Sequence, residues 1–171
     1  ENAVIGSTVG ITASASDADA TTNGVTYSLD DNAGGRFAIH SATGIVIVAD
    51  GSLLDHEQAT THSIQVRATS LDGSTAVRNF TIQIGDLNDT PPVIVPNQQF
   101  SVSELAMIGT SVGNVVATDA DTVGTPQNWT ITGGNVDGIF SIDPAFDRMH
   151  LGNIVITGNS FSRGDLDLLF N

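Results

Sequence analysis

The second half of this sequence repeats the first at an almost constant distance, and this repeat limits the possible folds more than any other feature. Residues 1–10, Glu-Asn-Ala-Val-Ile-Gly-Ser-Thr-Val-Gly, recur at residues 104–113 as Glu-Leu-Ala-Met-Ile-Gly-Thr-Ser-Val-Gly, an offset of 103 residues. Residues 17–19, Asp-Ala-Asp, recur at residues 119–121, an offset of 102. A period of this length corresponds to one sandwich-sized domain per repeat.

Within the repeats, apolar and polar residues alternate with a period of two, which is typical of half-buried strands. In one run Ile64, Val66 and Ala68 alternate with polar residues, and a short apolar run at residues 45–48 follows the turn sequence Thr43-Gly44. No long stretch has the 3.6-residue apolar period of a helix. We therefore expect an all-β protein made of tandem antiparallel Greek-key β-sandwiches of the immunoglobulin-like kind.

The repeat also predicts where the domains lie. We expect repeat 1 at residues 1–90, without its first strand, a linker at residues 86–92, and repeat 2 at residues 93–171. Repeat 2 is expected to be incomplete or divergent after about residue 143 and C-terminally truncated, because no counterpart of the last two strands of repeat 1 follows. The chain is expected to be an internal fragment of a longer protein.

The charge balance narrows the range of partners. The formal net charge is −14, with only five Lys and Arg residues among 171. Such a chain is repelled by nucleic acid and by anionic membranes, so neither is expected as a partner. A divalent cation would relieve the repulsion between carboxylates, although a merely soluble acidic surface would have the same composition. The sequence contains no cysteine and no apolar run that predicts a membrane span in this fragment.

A dense group of oxygen-bearing residues lies between the two repeats. The stretch from Asp86 to Pro92 reads Asp-Leu-Asn-Asp-Thr-Pro-Pro. The two prolines remove backbone donors and keep the chain extended. Carboxylate, amide and carbonyl oxygens suit a hard cation such as Ca²⁺, but clustered Asp and Asn also favour ordinary turns. From these residues alone, a metal site and a simple polar linker remain equally open.

Four acidic motifs and a set of core and turn signatures occur in a fixed order, and through them the sequence resembles tandem cadherin repeats. Each motif alone is weak, but the order is specific, and two of the motifs occur in both repeats. The motifs are Glu1-Asn2, Asp17-Ala18-Asp19 with its repeat Asp119-Ala120-Asp121, Leu54-Asp55-His56-Glu57, and Asp86-Leu87-Asn88-Asp89-Thr90, with core and turn signatures at Tyr27-Ser28-Leu29 and Phe37-Ala38-Ile39.

This resemblance implies two or three calcium ions between successive repeats. The implied ligands come from repeat 1, from the linker and from repeat 2; they are Glu1, Asp55, Glu57, Asp86, Leu87, Asn88, Asp89, Thr90, Asp119 and Asp121. Residues i and i+2 of an extended segment point the same way, which agrees with a shared ion at Asp119 and Asp121. The resemblance also implies incomplete half-sites for further repeats at Asp17, Asp19, Asn23 and Glu104.

The sequence departs from the family pattern at two ligand positions. Thr90 replaces an asparagine whose backbone carbonyl is the ligand, so little is lost there. Ser70 stands where the family has an aspartate, and Asp72 is a candidate substitute.

Other residues that could carry chemistry have simpler interpretations. The histidines show no metal-ligand spacing and are expected at the surface; they are His40, His56, His62 and His150. Trp129 matches Tyr27 in the other repeat and is expected in the core. No nucleophile-elbow or zinc-protease motif occurs, so catalysis is not expected.

The resemblance implies an extracellular, cell-surface adhesion or structural module in which calcium stiffens a rod of repeats. The composition of the chain is similar to that of the cadherin-type repeats of large microbial surface proteins. The expected partners are calcium, other repeats of the same chain, and a homophilic or heterophilic protein or a cell-surface glycan. Two alternatives are a calcium-dependent polysaccharide-binding module and an accessory domain of a secreted hydrolase.

Overall fold

The computed structural model describes residues 1–18, 24–124, 128–143, 151–158 and 169–170. Within these residues the regular elements are twelve β-strands and one short 3₁₀ helix, Gly51–Leu53. The predicted all-β class is therefore confirmed. The backbone divides into two compact units, Glu1–Leu87 and Asn88–Asn171, which we call unit 1 and unit 2.

Unit 1 is built of two three-stranded antiparallel sheets. One sheet has the order β1-β4-β3 and the other has the order β2-β5-β6. The strands are β1 Thr8–Thr12, β2 Val25–Asp31, β3 Phe37–Ile39, β4 Ile45–Val48, β5 Thr61–Ser70 and β6 Thr75–Gln83.

The core of unit 1 comes from the inward positions of both sheets. Val46 and Val48 of β4 pack in one buried cluster with Ile64 and Val66 of β5, and Phe37 of β3 is 1% exposed. Full burial of a side chain of this size contributes about 1.5–3 kcal/mol. The alternation in the sequence therefore determines which face of each strand is covered.

The predicted turn at Thr43-Gly44 requires its glycine. The carbonyl of His40 accepts hydrogen bonds from the backbone nitrogens of Thr43 (3.2 Å) and Gly44 (2.9 Å). Gly44 has φ +70°, and a Cβ atom there would lie 2.3 Å from the carbonyl oxygen of Ala13. Only glycine combines this backbone conformation with such a close approach.

Unit 2 contains a four-stranded antiparallel sheet with the order β10-β11-β8-β7 and a two-stranded sheet that pairs β12 with β9. The strands are β7 Val93–Ile94, β8 Ser111–Thr118, β9 Ile131–Gly133, β10 Phe140–Ile142, β11 Leu151–Ile156 and β12 Leu169–Phe170. The predicted divergence after about residue 143 falls largely on residues outside the described ranges.

The core of unit 2 confirms the interpretation of Trp129 as a core residue, because this side chain is 5% exposed. It packs in one cluster with Val115, Ile139, Ile154 and Ile156. Among the described residues there is no helix of the length and apolar content that a membrane span requires.

Candidate functional site

The segment that carries Glu1 is held against unit 1 by backbone contacts. The backbone nitrogen of Glu1 donates to the carbonyl of Gly85 at 2.7 Å, and that of Asn2 donates to the carbonyl of Leu54 at 3.3 Å. Asn2 has φ 50°, in the left-handed region that asparagine tolerates better than most residues. The Glu1-Asn2 motif therefore supplies both an acidic side chain and the bend that directs it.

Gly51 lies directly beneath this segment. It is buried at the start of the 3₁₀ helix, and a Cβ atom there would lie 1.8 Å from the carbonyl oxygen of Ala3. The close approach of the two backbones therefore requires glycine at this position. Sequence reasoning does not single out Gly51, and its only signal is the turn-forming pair that it makes with Asp50.

The carboxylate of Glu1 connects two distant parts of unit 1. Its Oε2 accepts a hydrogen bond from the backbone nitrogen of His56 at 2.6 Å, and its Oε1 accepts one from the backbone nitrogen of Leu87 at 2.6 Å. The pKa of Glu1 is lowered, chiefly by the bond from His56 and further by that from Leu87, against opposing effects of desolvation and of Asp86. Glu1 is thus held ionised in a fixed position.

Three carboxylates converge in unit 1. Glu1, Glu57 and Asp86 each present one oxygen, and these oxygens lie within 4.8 Å of one another. Glu57 is exposed, whereas Glu1 and Asp86 are half-buried. Three ionised groups at this separation repel each other, and they form the set of hard oxygen donors that Ca²⁺ prefers.

Asp55 does not belong to this group of three. Its Oδ1 accepts from the backbone nitrogen of Gln58 at 2.8 Å, and its Oδ2 accepts from the side-chain amide of Gln58 at 2.7 Å. Its carbonyl also accepts from the backbone nitrogen of Ala59 at 3.0 Å. In this structure Asp55 acts as the residue that closes the turn carrying Glu57.

Unit 2 places three further predicted ligands close to one another. Asp121 is 7% exposed, and its two carboxylate oxygens lie 3.3 and 3.0 Å from the backbone nitrogen of Thr90, which donates to them. The backbone nitrogen of Asp121 donates to Oδ1 of Asp119 at 3.3 Å. Within unit 2, the linker and the Asp-Ala-Asp motif therefore contact each other directly.

The remaining linker residues differ in their surroundings. Leu87 is half-exposed at 50%, and Asp89 is exposed. The side chain of Asn88 lies against Gly124, where an added Cβ atom would stand 1.7 Å from its Nδ2. Gly124 has φ +80°, a backbone conformation that favours glycine, and an added Cβ would also displace the Asn88 amide.

The predicted half-sites are only partly described. The hydroxyl of Ser70 donates a short hydrogen bond to Oδ2 of Asp17. Asp72 accepts from the backbone nitrogen of Ser74 at 2.8 Å, and this bond is the main reason that its pKa is lowered. Asp72 therefore has a local role in the turn between β5 and β6.

The other half-site residues need only brief mention. Asp19 and Asn23 lie outside the described residues. Glu104 is exposed in the turn that precedes β8.

Among the described histidines, His40 is exposed as expected, whereas His56 and His62 are half-buried. The Nε2 atom of His62 is buried and has no hydrogen-bond partner among the described residues, and its ring centroid lies 6.3 Å from that of Phe37. Burial and then the positive charge of Arg36 lower the pKa of His62 below its ordinary 6.5. The Nδ1 atom of His56 lies 2.9 Å from the carbonyl of Ile84, and His150 lies outside the described residues.

Each unit packs antiparallel sheets around one core, which is the β-sandwich architecture that many cell-surface domains share. The Cadherin domain family model matches residues 1–85. Mouse Protocadherin Fat 4 is 38% identical over 152 residues, which cover 84% of this chain and 3% of the relative. Chicken Cadherin-1 is 36% identical over 162 residues, which cover 85% of this chain and 18% of the relative.

Solved structures agree with these sequence matches. The human Desmocollin-1 ectodomain superposes with a TM-score of 0.69 and 24% identity, over 92% of this chain and 31% of that chain. Mouse Cadherin-23 EC22-24 superposes with a TM-score of 0.62 and 27% identity, over 90% of this chain and 48% of that chain.

These matches show that the chain belongs to the cadherin family and consists of cadherin-like β-sandwich repeats. The relatives are adhesion proteins and not enzymes, and the location that they indicate for this chain is extracellular, at the cell surface. The chain spans only about 3% of the length of the Fat relatives and 18% of Cadherin-1.

Proposed function

We propose that this chain is a non-catalytic, calcium-binding adhesion module in which calcium between successive repeats stiffens a multi-repeat rod. The observation that carries the proposal is the convergence of Glu1, Glu57 and Asp86, whose oxygens lie within 4.8 Å of one another. This arrangement fits a hard divalent cation, because three nearby carboxylates supply the charge and the oxygen ligands that such an ion takes.

In the proposed site, each of the three carboxylates of unit 1 is positioned in a different way. Glu1 is fixed in advance by its bonds to the backbone nitrogens of His56 and Leu87. Glu57 stands on the turn that Asp55 closes, and Asp86 follows the strand β6. Bound calcium would neutralise their mutual repulsion and supply no reaction chemistry.

The remaining ligands of the proposal come from the linker and from unit 2. The family resemblance assigns this role to Leu87, Asn88, Asp89 and Thr90, and to Asp119 and Asp121. Asp121 and Thr90 already contact each other in unit 2. The proposed ion number is two or three, and Asp55 belongs to the proposed set, because each of its oxygens keeps a lone pair beside the bond that it accepts from Gln58.

We propose that the same module contacts protein partners, through other repeats of its chain or through homophilic or heterophilic binding. A sugar-binding surface has less support, because polysaccharide modules stack sugars on exposed aromatic rings. Every aromatic side chain that the structure describes lies in or against one of the two cores; these are Tyr27, Phe37, Phe80, Phe100, Trp129 and Phe140.

The direct test is a calorimetric calcium titration of the whole chain, combined with thermal unfolding in millimolar calcium and in EGTA. Extracellular calcium modules bind with dissociation constants of about 10⁻⁴–10⁻³ M. One site at 100-fold excess over the dissociation constant adds about 2.7 kcal/mol of stability. Absence of binding heat together with equal melting temperatures would contradict the proposal.

The mechanical part of the proposal has its own test. Small-angle scattering should show a longer and less flexible particle in calcium than in EGTA, while circular dichroism reports the same strand content in both. Magnesium serves as the matched control ion, because it demands a smaller and stricter octahedral shell. Identical scattering curves in calcium and EGTA would refute the stiffening role even if calcium binds.

A further inference from the structure

The guanidinium of Arg36 connects two loops of unit 1. Arg36 is half-buried directly before β3. Its Nε donates to the carbonyl of Leu53 at 2.9 Å, and its Nη1 donates to the carbonyl of Ala33 at 2.9 Å. Leu53 is the last residue of the 3₁₀ helix, and Ala33 lies in the turn between β2 and β3. The side chain therefore joins this turn to the end of the helix.

The 3₁₀ helix is capped at both ends. At its start, the carboxylate of Asp50 accepts from the backbone nitrogen and the hydroxyl of Ser52 at 3.0 and 2.6 Å. The last carbonyls of a helix have no partner within the helix, and a basic side chain can bond to them. Arg36 does so at Leu53. Because so short a helix is unfavourable to nucleate by itself, its position depends on these caps.

The proposed calcium ligands begin directly after this helix, in residues 54–57, which we call the ligand loop. Leu54 is 4% exposed, and its carbonyl accepts from the backbone nitrogen of Asn2 at 3.3 Å. The backbone nitrogen of His56 donates to the carboxylate of Glu1 at 2.6 Å, and Glu57 follows. A shift of the helix end would therefore move both Glu57 and the donor that holds Glu1.

The matching residue of unit 2 distinguishes what the fold provides from what Arg36 adds. At the offset of 103, Arg36 matches Ile139. The carbonyl of Arg36 accepts from the backbone nitrogens of residues 49 and 50 at 2.8 and 3.3 Å, and that of Ile139 accepts from those of residues 157 and 158 at 2.6 and 3.0 Å. Both units share this main-chain contact, but an isoleucine side chain has no donor. The guanidinium bonds are therefore an addition to the shared fold.

The chemistry of the guanidinium suits an anchor beside a cation site. Its donors form a rigid planar fork, which can reach two acceptors at once. Both bonds of Arg36 go to neutral carbonyls, whereas an arginine that bonded a ligand carboxylate would compete with the cation for its oxygens. At Gly34 an added Cβ would lie 3.2 Å from Nη1, so the turn closes tightly around this group. Arg36 can thus fix the ligand loop through bonds that occupy no ligand oxygen.

We propose that Arg36 is a positioning residue for the proposed calcium site, because its guanidinium fixes the helix end from which the ligand loop starts. This inference rests on the proposed function and adds to it a residue that does not contact the ion. Groups that orient metal ligands typically change metal affinity by about 10–100-fold when they are removed. We expect an effect of this size from Arg36.

Calorimetric calcium titration of the whole chain tests this role by comparing Arg36→Gln with Arg67→Gln. Arg67 bonds to both carboxylate oxygens of Asp30, away from the ligand loop. Each variant loses one positive charge and one pair of arginine bonds from unit 1. Arg36→Gln should bind calcium about 10–100-fold more weakly than the wild type, and Arg67→Gln should bind as the wild type does. Equal affinities in all three proteins, or equal losses in the two variants, would overturn the proposal.

Arg36→Lys separates the geometry of the guanidinium from its charge. Lysine keeps the positive charge, but its ammonium group cannot present a planar fork to two carbonyls. Arg36→Lys should therefore bind calcium about as weakly as Arg36→Gln. Wild-type affinity in Arg36→Lys would overturn the proposal, because charge alone would then be sufficient. If Arg36→Gln does not fold, Arg36→Lys is compared with Arg67→Lys in the same way.

Amide hydrogen exchange in EGTA measures the anchor without calcium. The amides of Asn2 and Leu54 should exchange faster in Arg36→Gln than in the wild type, while those of Ile64 and Val66 in β5 remain unchanged. Unchanged exchange at Asn2 and Leu54 would overturn the proposal. A wild type that binds no calcium would contradict the proposed function, and the role of Arg36 would fail with it. A wild type that binds calcium no more tightly than Arg36→Gln would refute the role of Arg36 alone.

Discussion

The close approach of Gly51 to the Glu1 segment makes a quantitative prediction about Gly51→Ala. A Cβ atom at position 51 would lie 1.8 Å from the carbonyl oxygen of Ala3, whereas Cβ atoms in proteins essentially never approach another heavy atom closer than 3.0 Å. One backbone must therefore move by about 1.2 Å, since overpacked sites relieve such contacts by backbone shifts. Glu1 is only two residues from Ala3, so the shift reaches its carboxylate.

The expected losses follow from this displacement. Overpacking of this kind costs about 1–3 kcal/mol. For a domain of this size each kcal/mol corresponds to a change of roughly 4–8 °C in melting temperature, so unit 1 should melt about 4–24 °C lower. Calcium affinity should fall by about 10–100-fold, the loss typical when a group that orients a metal ligand is removed.

Calorimetric titration with calcium and thermal unfolding in EGTA measure these two effects separately. Gly85→Ala is the matched control, because the carbonyl of Gly85 accepts from the backbone nitrogen of Glu1 while an added Cβ there meets no described atom within 4 Å. The reasoning is refuted if Gly51→Ala matches the wild type in both measurements. It is also refuted if Gly85→Ala loses as much as Gly51→Ala.

Three further predictions concern other parts of the molecule. Glu57→Ala should remove most calcium binding while Asp17→Ala hardly changes it, and equal losses in titration would contradict the ligand assignment. Because folding lowers the pKa of His62, its neutral form stabilises unit 1 above pH 6.5, and this contribution is lost as the pH falls. The melting temperature should therefore vary less across pH 5–8 in His62→Phe than in the wild type. The His40→Gln control should show the same pH dependence as the wild type. Gly152→Ala should destabilise unit 2, because an added Cβ would lie 2.9 Å from the ring of Trp129. Trp129 is the only tryptophan of the sequence, so its fluorescence reports the unfolding of unit 2, and an unfolding curve equal to that of the wild type would contradict this prediction.

Much of the fold can be predicted from the sequence, because apolar and polar residues alternate along the strands and so indicate which face of each strand is buried. Local sequence patterns predict the alternation around Ile64 and Val66, the turn at Gly44 and the core position of Trp129. The family resemblance follows from the order of the acidic motifs, and the family match confirms it.

Features that depend on contacts distant in sequence could not be read in the same way. A local contact was also missed, because the motif around Asp55 does not reveal that Gln58, three residues later, donates to both of its carboxylate oxygens. The spacing of the histidines does not reveal that Nε2 of His62 is buried. The need for glycine at position 51 comes from the path of residues about fifty positions earlier, which no local pattern contains.

The two oxygens of the Glu1 carboxylate also provide a pair of spectroscopic reporters. Each oxygen accepts one amide proton, from His56 and from Leu87, two residues that are 31 positions apart in the sequence. Any event that rotates or withdraws this one carboxylate must change both amide environments at once. The two resonances should therefore shift in proportion during a titration, whereas an event confined to either backbone segment would shift only one.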